Sequence, residues 1–348
     1  FGYVRLYAKE NNLLCNKNEE LLAHEFHYWD SENCGSGFKA VKESSGKQWD
    51  CVHAKENMYA GFPHLYFYAN LSAALRFVEA CHKYGGNNDI DNTSVLKSKL
   101  RWNSIAKPLG GLGLLEDMVS KIAGIQRTED VSITHRTAVI MCADNGVVSE
   151  GVSQSDSRVT AQVAKEIAAG SVNMLANQFS TEILTVDIGI DSDIYCSNII
   201  NKKIAYGTRS IVKGPAMDPS QARKAISNGI EIVYDLCRNG TDIIITGEMG
   251  IGNTTTSAAI ASLILGIPAE ITTGRGASLD SSGMSRKIAA IHRAIKLNKP
   301  DPTDPIDVLS KLGGFDIAGM TGLFLAGAEC GIPIVIDGVI SAVSACLA

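Results

Sequence analysis

The residues with the clearest chemical potential lie in one glycine-rich segment, residues 247–255, which reads GEMGIGNTT. It follows a β-branched run, residues 243–246, and precedes an Ala/Leu-rich stretch typical of a helix. A glycine loop between a strand and a helix start directs backbone N–H groups and the positive end of the helix dipole to one point. The segment therefore predicts an anion site, with ligand contacts from the residues Gly247, Gly250, Gly252, Asn253 and Thr254.

The loop favours a monophosphate over a nucleoside triphosphate. The spacing from Gly247 to Gly252 is that of a P-loop, but Asn253 and Thr254 stand where that motif has lysine and Ser/Thr. Without the lysine, the β- and γ-phosphates would lack their usual cation. A Mg²⁺-dependent nucleotide hydrolase is therefore the weaker alternative, and a tight turn with a close helix–sheet contact is the purely structural one.

Other candidate ligand contacts are two basic and two polar side chains. Lys213 and Arg275 are the basic ones, and Ser153 and Gln162 could hydrogen-bond a heterocycle. Glu248 is the ionisable group inside the loop, and a carboxylate beside a phosphorylated ligand suits proton abstraction. Each of these residues also has a purely structural alternative. Arg275 could form a surface ion pair, and Ser153 and Gln162 could be an N-cap or a solvated helix position. Glu248 could be an acid at a helix N-terminus that only complements the helix dipole.

The elements that must position these residues alternate between strand and helix. Apolar runs that end in polar or glycine residues lie at 137–142, 183–186, 243–246 and 332–336. Helical patterns lie at 159–178, 219–239, 255–265 and 282–297. This alternation predicts an α/β fold with a doubly wound, mostly parallel, Rossmann-like sheet, together with a small helical subdomain. Ligands bind such sheets beyond the carboxyl ends of the strands, where Asp144, Asp187, Glu248 and Asp337 all fall.

Composition excludes several classes of function. With 348 residues, 45% apolar and 20% charged, the chain is expected to form about two globular domains. A formal net charge of −5 gives no electrostatic case for nucleic acid or an anionic membrane. Nine cysteines without a C-x-x-C pair suit a reducing cytoplasm, and no cofactor or metal is expected. An H-x-x-H pair at His24 and His27 is the minority case for a metal.

Residues from about 96 to 348 resemble nicotinate-nucleotide–dimethylbenzimidazole phosphoribosyltransferases. The matching motifs are KPLGGLG (107–113), ADNGVVSEGVS (143–153), VTAQ (159–162), GPAM (214–217), GEMGIGNTT (247–255), GGFDIAG (313–319) and DG (337–338). Departures are Leu109-Gly110-Gly111 for the usual Pro-Gly-Ser, Asn145 for histidine, and GRGAS at 274–278 for GRGTG. The resemblance implies transfer of phosphoribose from nicotinate mononucleotide to 5,6-dimethylbenzimidazole in cobalamin biosynthesis, giving α-ribazole 5′-phosphate and nicotinate. It also implies a homodimer.

The resemblance also implies roles. The glycine loop would hold the 5′-phosphate, and a carboxylate would take the imidazole proton without a metal. The family's principal base is a glutamate downstream of the Asp-Gly pair, beyond Ala348, whereas Glu248 matches a second glutamate of the same site. This chain by itself is therefore expected to turn over weakly or not at all. A non-catalytic module that binds α-ribazole or a related nucleotide is the alternative.

Residues 1–84 differ in composition from the rest of the chain. Residues 85–95, which are rich in Gly, Asn and Asp, are predicted to be a linker. The motifs HEFHY (24–28) and GFPHLYF (61–67) resemble the end of the glutamine amidotransferase domain of cobyrinate a,c-diamide synthases. The resemblance implies a partial α/β segment, and in that family a histidine of a Y-x-H-x-H-F-like motif is the catalytic base. His64 matches the first histidine of this motif, while Tyr66 replaces the second. No cysteine in this segment lies in a G-x-C-x-G turn, so the nucleophile would lie upstream of Phe1 and no glutamine hydrolysis is expected.

Overall fold

The computed structural model describes residues 2–25, 31–55, 58–84, 90–170, 173–276 and 279–348. The chain divides into two compact units, Phe1–Asn88 and Asp89–Ala348. Among the described residues, no helix combines the length and the apolar character needed to cross a bilayer.

The first unit is built on antiparallel strands. Its elements are β1 (Gly2–Ala8), β2 (Glu20–Glu25), β3 (Phe38–Lys42), β4 (Gln48–Cys51), β5 (His53–Lys55), β6 (Met58–Ala60), β7 (Pro63–Leu65) and α1 (Leu71–Tyr84). The main sheet has the order β4-β3-β1-β2-β7, and β5 pairs with β6 separately. The expected α/β alternation does not appear in these described strands. The connection of residues 43–47 between β3 and β4, for example, is too short for the crossover that parallel strands require.

The predicted linker ends earlier than expected, because helix α2 (Asn92–Ser104) already begins inside it. The Asp91 carboxylate caps this helix by accepting from the Thr93 backbone N–H at 3.0 Å and from Ser94 Oγ at 2.7 Å. The Asp/Asn-rich composition that suggested a linker thus includes a helix N-cap. Residues 85–89 of the predicted linker lie outside the described residues.

The second unit confirms the predicted parallel α/β architecture. Its strands are β8 (Arg136–Ala143), β9 (Thr181–Gly189), β10 (Ile199–Asn201), β11 (Ile243–Met249) and β12 (Ile334–Val335). Its further helices are α3 (Leu114–Gln126), α4 (Arg158–Ala169), α5 (Asn173–Gln178), α6 (Pro219–Arg238), α7 (Asn253–Leu265), α8 (Ala269–Thr272), α9 (Ser281–Asn298), α10 (Pro305–Leu312), α11 (Phe315–Cys330) and α12 (Val339–Leu347). The strand pairs β10–β9, β9–β8, β8–β11 and β11–β12 are all parallel.

The strand order β10-β9-β8-β11-β12 places the topological switch point between β8 and β11. The chain runs outward from β8 through β9 to β10, and later outward from β11 to β12 on the other side. The connections that leave β8 and β11 therefore diverge, which opens a crevice at the carboxyl ends of these two strands. In register, Met249 at the end of β11 lies opposite Cys142 of β8, so the glycine loop begins at this crevice.

Helix α11 is the most deeply buried helix beside the crevice. It packs closely on α6, where a Cβ on Gly229 would collide with the Gly319 carbonyl oxygen. The first residues of α11, Phe315 and Asp316, are both buried. Asp316 therefore places an acidic side chain inside the core, toward the carboxyl ends of the strands.

Candidate active site

The glycine loop has the backbone geometry that its sequence predicts. Gly252 has φ +96° and is the N-cap of α7, which has no side-chain cap. A Cβ there would lie 2.8 Å from Val148 Cγ2 and 3.0 Å from Asn145 Cβ. The Asn253 and Thr255 N–H groups donate to backbone carbonyl oxygens at 3.1 and 2.9 Å. The uncapped start therefore offers an anion the Thr254 N–H and the positive end of the helix dipole.

Gly250 is required for a different reason, namely close packing. A Cβ at this position would overlap the Ala143 carbonyl oxygen and would lie 2.6 Å from Asp316 Oδ2. We expect Gly250→Ala to lower the free energy of unfolding by about 2–3 kcal/mol, as overpacking against backbone does. Urea denaturation measures this. Gly214→Ala is the control, since a Cβ on Gly214 meets nothing within 4 Å. Equal stability of the two variants would contradict the expected overlap.

Asp144 supports the loop from within the protein. Its Oδ1 accepts from Thr160 Oγ1 at 2.6 Å, and Thr160 Oγ1 in turn accepts from the Ile251 backbone N–H at 3.2 Å. Its Oδ2 accepts from the Asp191 backbone N–H at 2.8 Å. Burial raises the pKa of this carboxyl. Both oxygens are used by protein donors, so the structure gives Asp144 a supporting position instead of the predicted ligand contact.

Asp187, the second predicted carboxylate at a strand end, is also engaged by the protein. Its side chain is buried and pairs with Lys203 at 3.0 Å, and Oδ1 accepts from the Ile190 backbone N–H at 3.0 Å. This ion pair anchors the chain that follows β9. Of the four strand-end carboxylates, Glu248 alone lines the cavity described next.

A cavity of about 180 Å³ lies beside the loop. Its lining includes Glu248 and the loop residues through Thr254, together with Ser153, Arg275 and Lys287. Arg275 also donates from one guanidinium nitrogen to the Leu279 carbonyl oxygen at 2.7 Å. The predicted contacts Gly250, Gly252, Asn253, Thr254, Ser153 and Arg275 are thus brought together with Glu248.

Lys287 is the main functional candidate that sequence reasoning missed. Its side chain is 0% exposed, and Nζ donates to Thr254 Oγ1 at 2.7 Å and to the Gly274 carbonyl oxygen at 3.1 Å. Burial lowers the pKa of this ammonium to about 8. The cation absent from the P-loop-like motif is therefore supplied by α9. Its signal was a lysine on the buried face of that helix, which also contains Gly283, Ala290, Ile291 and Ala294.

Glu248 and a second acid, Asp316, share one amide. Asn253 Nδ2 donates to Glu248 Oε2 and, at 3.0 Å, to Asp316 Oδ2. Burial, with the nearby charge of Asp337, raises the pKa of Glu248. Burial, with the charge of Glu248, raises the pKa of Asp316 to about 7. In the sequence, Asp316 stands out only as part of the GGFDIAG motif.

The remaining predicted contacts are placed elsewhere. The Lys213 side chain is 70% exposed and pairs with Glu150 at 3.2 Å, and exposed Gln162 donates to Glu166 Oε1 at 2.7 Å. Gly247 lies within β11, where a Cβ would overlap Ile140 Cδ1 of β8. Within the described part of the chain, none of these three lines the cavity. Asp337 is exposed just after β12 and acts on Glu248 through its charge.

The remaining predictions concern the histidines of residues 1–84 and the positions where the sequence departs from the family motifs. His64 of β7 lies opposite His24 of β2 in the antiparallel sheet of the first unit. His27 and residues 277–278, where the sequence departs from GRGTG, lie outside the described residues. Asn145 is buried with Oδ1 accepting from Thr256 Oγ1 at 3.4 Å, while Nδ2 has no hydrogen-bond partner among the described residues.

Together these groups form a site with two chemical ends. The uncapped start of α7 and Lys287 present N–H groups to an anion, and the Thr254 hydroxyl links them. Glu248, at the start of the same loop, presents a half-buried carboxylate. The arrangement can hold a phosphate at one end and accept a proton, or stabilise positive charge, at the other.

Comparison with known proteins identifies relatives of the second unit. Residues 88–348 match the sequence profile of a family described as phosphoribosyltransferase. A nicotinate-nucleotide–dimethylbenzimidazole phosphoribosyltransferase from Acetivibrio thermocellus is 48% identical over 247 residues, 70% of this chain and 70% of the relative. The enzyme of the same name from Ruminiclostridium cellulolyticum is 47% identical over 259 residues, 74% of each chain.

A solved structure of the enzyme of that name from Thermus thermophilus is 30% identical, with a TM-score of 0.69. The likeness covers 74% of this chain and 77% of the other. The resemblance predicted for residues 96–348 is confirmed. The profile match begins at residue 88, so the amidotransferase resemblance of residues 1–84 stays a prediction.

Proposed function

Because the chain belongs to the nicotinate-nucleotide–dimethylbenzimidazole phosphoribosyltransferase family, we propose that it transfers phosphoribose from nicotinate mononucleotide to 5,6-dimethylbenzimidazole. The products are α-ribazole 5′-phosphate and nicotinate, and the reaction belongs to cobalamin biosynthesis. One observation supports placing this reaction at the site described above. The uncapped start of α7 and the buried Lys287 lie at the same loop as the carboxylate of Glu248.

The phosphate end of the site fixes the donor. The 5′-phosphate binds at the start of α7, where Lys287 adds a positive charge and Thr254 a hydroxyl. Anchoring the phosphate restricts the ribose, so the acceptor nitrogen meets the anomeric carbon in line with the departing nicotinate. Ser153 and Arg275, which also line the cavity, are proposed to contact the substrates.

The bond changes balance with one proton transfer. The bond from the anomeric carbon to the nicotinate nitrogen breaks, and its electron pair leaves with nicotinate as a neutral pyridine nitrogen. A benzimidazole nitrogen forms the new bond, and the imidazole proton passes to a carboxylate. We propose that the Glu248 carboxylate faces the ribose, stabilises the positive charge that develops there, and assists removal of this proton.

The assignment is tested by incubating the protein with nicotinate mononucleotide and 5,6-dimethylbenzimidazole and separating the products by chromatography. Nicotinate and α-ribazole 5′-phosphate are expected in equal amounts and at a low rate, in line with the weak turnover that the sequence predicts for this chain by itself. Calorimetry with nicotinate mononucleotide alone is the companion measurement. Binding without release of nicotinate would favour the non-catalytic binding module, and absence of both would overturn the assignment.

We also propose that residues 1–84 are the end of a glutamine amidotransferase domain of the cobyrinate a,c-diamide synthase type. The support is the pair of histidine motifs, of which His24 and His64 occupy opposed positions on β2 and β7. Glutamine hydrolysis by this chain would contradict the expectation that the nucleophile is lacking. The homodimer implied by the family likewise stays a prediction, and size-exclusion chromatography with light scattering tests it.

A further inference from the structure

The amide of Asn253 joins two carboxylates at the loop. Asn253 is 4% exposed, and its Nδ2 has two hydrogens, one directed to Glu248 Oε2 and the other to Asp316 Oδ2 at 3.0 Å. Reversing the amide would place its oxygen against two acceptors, so this orientation is fixed by the chemistry of the partners. The Asn253 side chain therefore holds Glu248 and Asp316 in one network.

We propose that Asp316 is a positioning residue that, through Asn253, fixes the orientation of the Glu248 carboxylate in the site. The inference rests on the proposed function, because it assigns Glu248 the role given above. Asp316 does not line the cavity within the described residues, so it acts through its neighbour and not on the substrate.

The packing around Asp316 leaves its carboxylate little freedom. The side chain is 0% exposed, and two glycines lie against it. A Cβ on Gly250 would lie 2.6 Å from Asp316 Oδ2, and a Cβ on Gly314 would overlap Oδ1. Since both glycines leave room only for hydrogen on this side, the oxygen that accepts from Asn253 is held in place.

A helix-capping role explains only half of the contacts of Asp316. Its Oδ1 accepts from the Ile317 backbone N–H at 3.0 Å at the start of α11, as an N-terminal acid does. Its Oδ2 is directed to Asn253 instead. A neutral side chain could serve the helix start without the cost of burying a carboxyl group. The second contact is therefore the one that a purely helical role does not need.

The charges around the pair agree with this arrangement. Glu248 of β11 belongs to the network, and Asp337 after β12 acts on Glu248 through its charge. Asp144 and Asp187, near β8 and β9, are satisfied by their own donors. Like charge from Glu248, together with burial, raises the pKa of Asp316 to about 7. As the pH rises through 7, Asp316 ionises and its repulsion of the Glu248 carboxylate grows.

Asp316→Asn is the principal test, and Asp307→Asn is its matched control. Asp307 is also an acid in the first turn of a helix, α10, and it is not among the residues that line the cavity. For Asp316→Asn we expect kcat to fall about 10-fold or more, while the Kd for nicotinate mononucleotide changes less than about 3-fold. The Asp307 variant is expected to keep both values. Thermal unfolding of both variants separates any loss of folded protein.

The orientation of Glu248 is read directly from its carboxyl ¹³C resonance, assigned by its absence in Glu248→Gln. Asn253→Ala removes a hydrogen bond that lowers the pKa of Glu248, so this pKa is expected to rise. Asp316→Asn, which disturbs the same amide, is expected to change the same titration. In a double-mutant cycle, Asn253→Ala should add less than about 3-fold to the loss of kcat in Asp316→Asn. If Asp316→Asn fails to fold, Asn253→Ala alone supplies the titration.

Two results would overturn the positioning role. One is an unchanged Glu248 titration in both variants, and the other is full additivity of the two losses in kcat. The titration needs no turnover, so it tests the network even if the wild-type protein releases no nicotinate. Such a lack of turnover would count against the proposed function alone.

Discussion

Lys287→Met is expected to weaken the binding of nicotinate mononucleotide about 100-fold while leaving the unliganded protein at least as stable as the wild type. The loss corresponds to about 2.7 kcal/mol, the range of a hydrogen bond to a charged group. Among the described residues, the buried ammonium has two hydrogen-bond acceptors, and both are neutral: the Thr254 hydroxyl and the Gly274 carbonyl. Removing a buried charge that lacks a counter-ion relieves desolvation, whereas a bound phosphate is the counter-ion it needs.

The pH dependence gives a second measurement of the same residue. The pKa of Lys287 is lowered to about 8, so the ammonium loses its proton as the pH rises above that value. Affinity for the phosphate should therefore decline above about pH 8 in the wild type and not in Lys287→Met. The unfolded lysine binds its proton up to a higher pH, so between about 8 and 10.5 this group makes stability rise with pH.

Isothermal titration calorimetry at pH 7 and 9, with urea denaturation at both values, measures these effects. Lys296→Met is the matched control, because Lys296 lies on the exposed side of the same helix, α9. If Lys287→Met binds nicotinate mononucleotide as tightly as the control, Lys287 does not hold the phosphate. If it is instead strongly destabilised, the lysine is a structural bridge between α9 and the loop.

Glu248→Gln is expected to lower kcat about 100-fold with little change in the Kd for nicotinate mononucleotide, within the range for loss of a general base. Glutamine keeps an oxygen that can accept from Asn253, so the loop geometry is retained while the charge is removed. The pKa of Glu248 is raised by burial, so the wild-type rate should increase with pH through that raised value. The acid limb of the profile should disappear in the variant.

Steady-state release of nicotinate from pH 5 to 9 measures this effect. The control is Glu270→Gln, because Glu270 is an exposed glutamate on α8 that pairs with His292. Full activity of Glu248→Gln would show that its carboxylate is dispensable. A large rise in the Kd with unchanged kcat would assign Glu248 to substrate binding instead.

Local sequence was sufficient for the loop and for the architecture around it. At Gly250 and Gly252 the packing or the backbone excludes a side chain. The residue type alone indicates this constraint, so it can be predicted from the sequence. The alternation of apolar strands with helices likewise predicts a parallel sheet. Both features depend on residues close together in the chain. The order of the strands, which decides where the crevice opens, came from the structure.

Contacts between distant segments were predicted less well. Lys213 was predicted to contact the ligand, but Glu150, from a distant part of the chain, engages its side chain. Asp144 is at the expected strand end, yet Thr160 and the Asp191 backbone satisfy both of its oxygens. Sequence spacing places such a residue near a site, whereas its hydrogen-bond partners decide where the side chain points.

The sequence by itself determined that a glycine-rich segment joins a strand to a helix, that Glu248 belongs to this segment, and to which family the second unit belongs. In the structure Glu248 lies just before the loop, as part of β11. The tertiary structure decided which charged groups complete the loop. Lys287 comes from α9 and Asp316 from α11, 33 and 63 positions from their partners Thr254 and Asn253. Their role depends on contacts between separate helices, which no local pattern encodes.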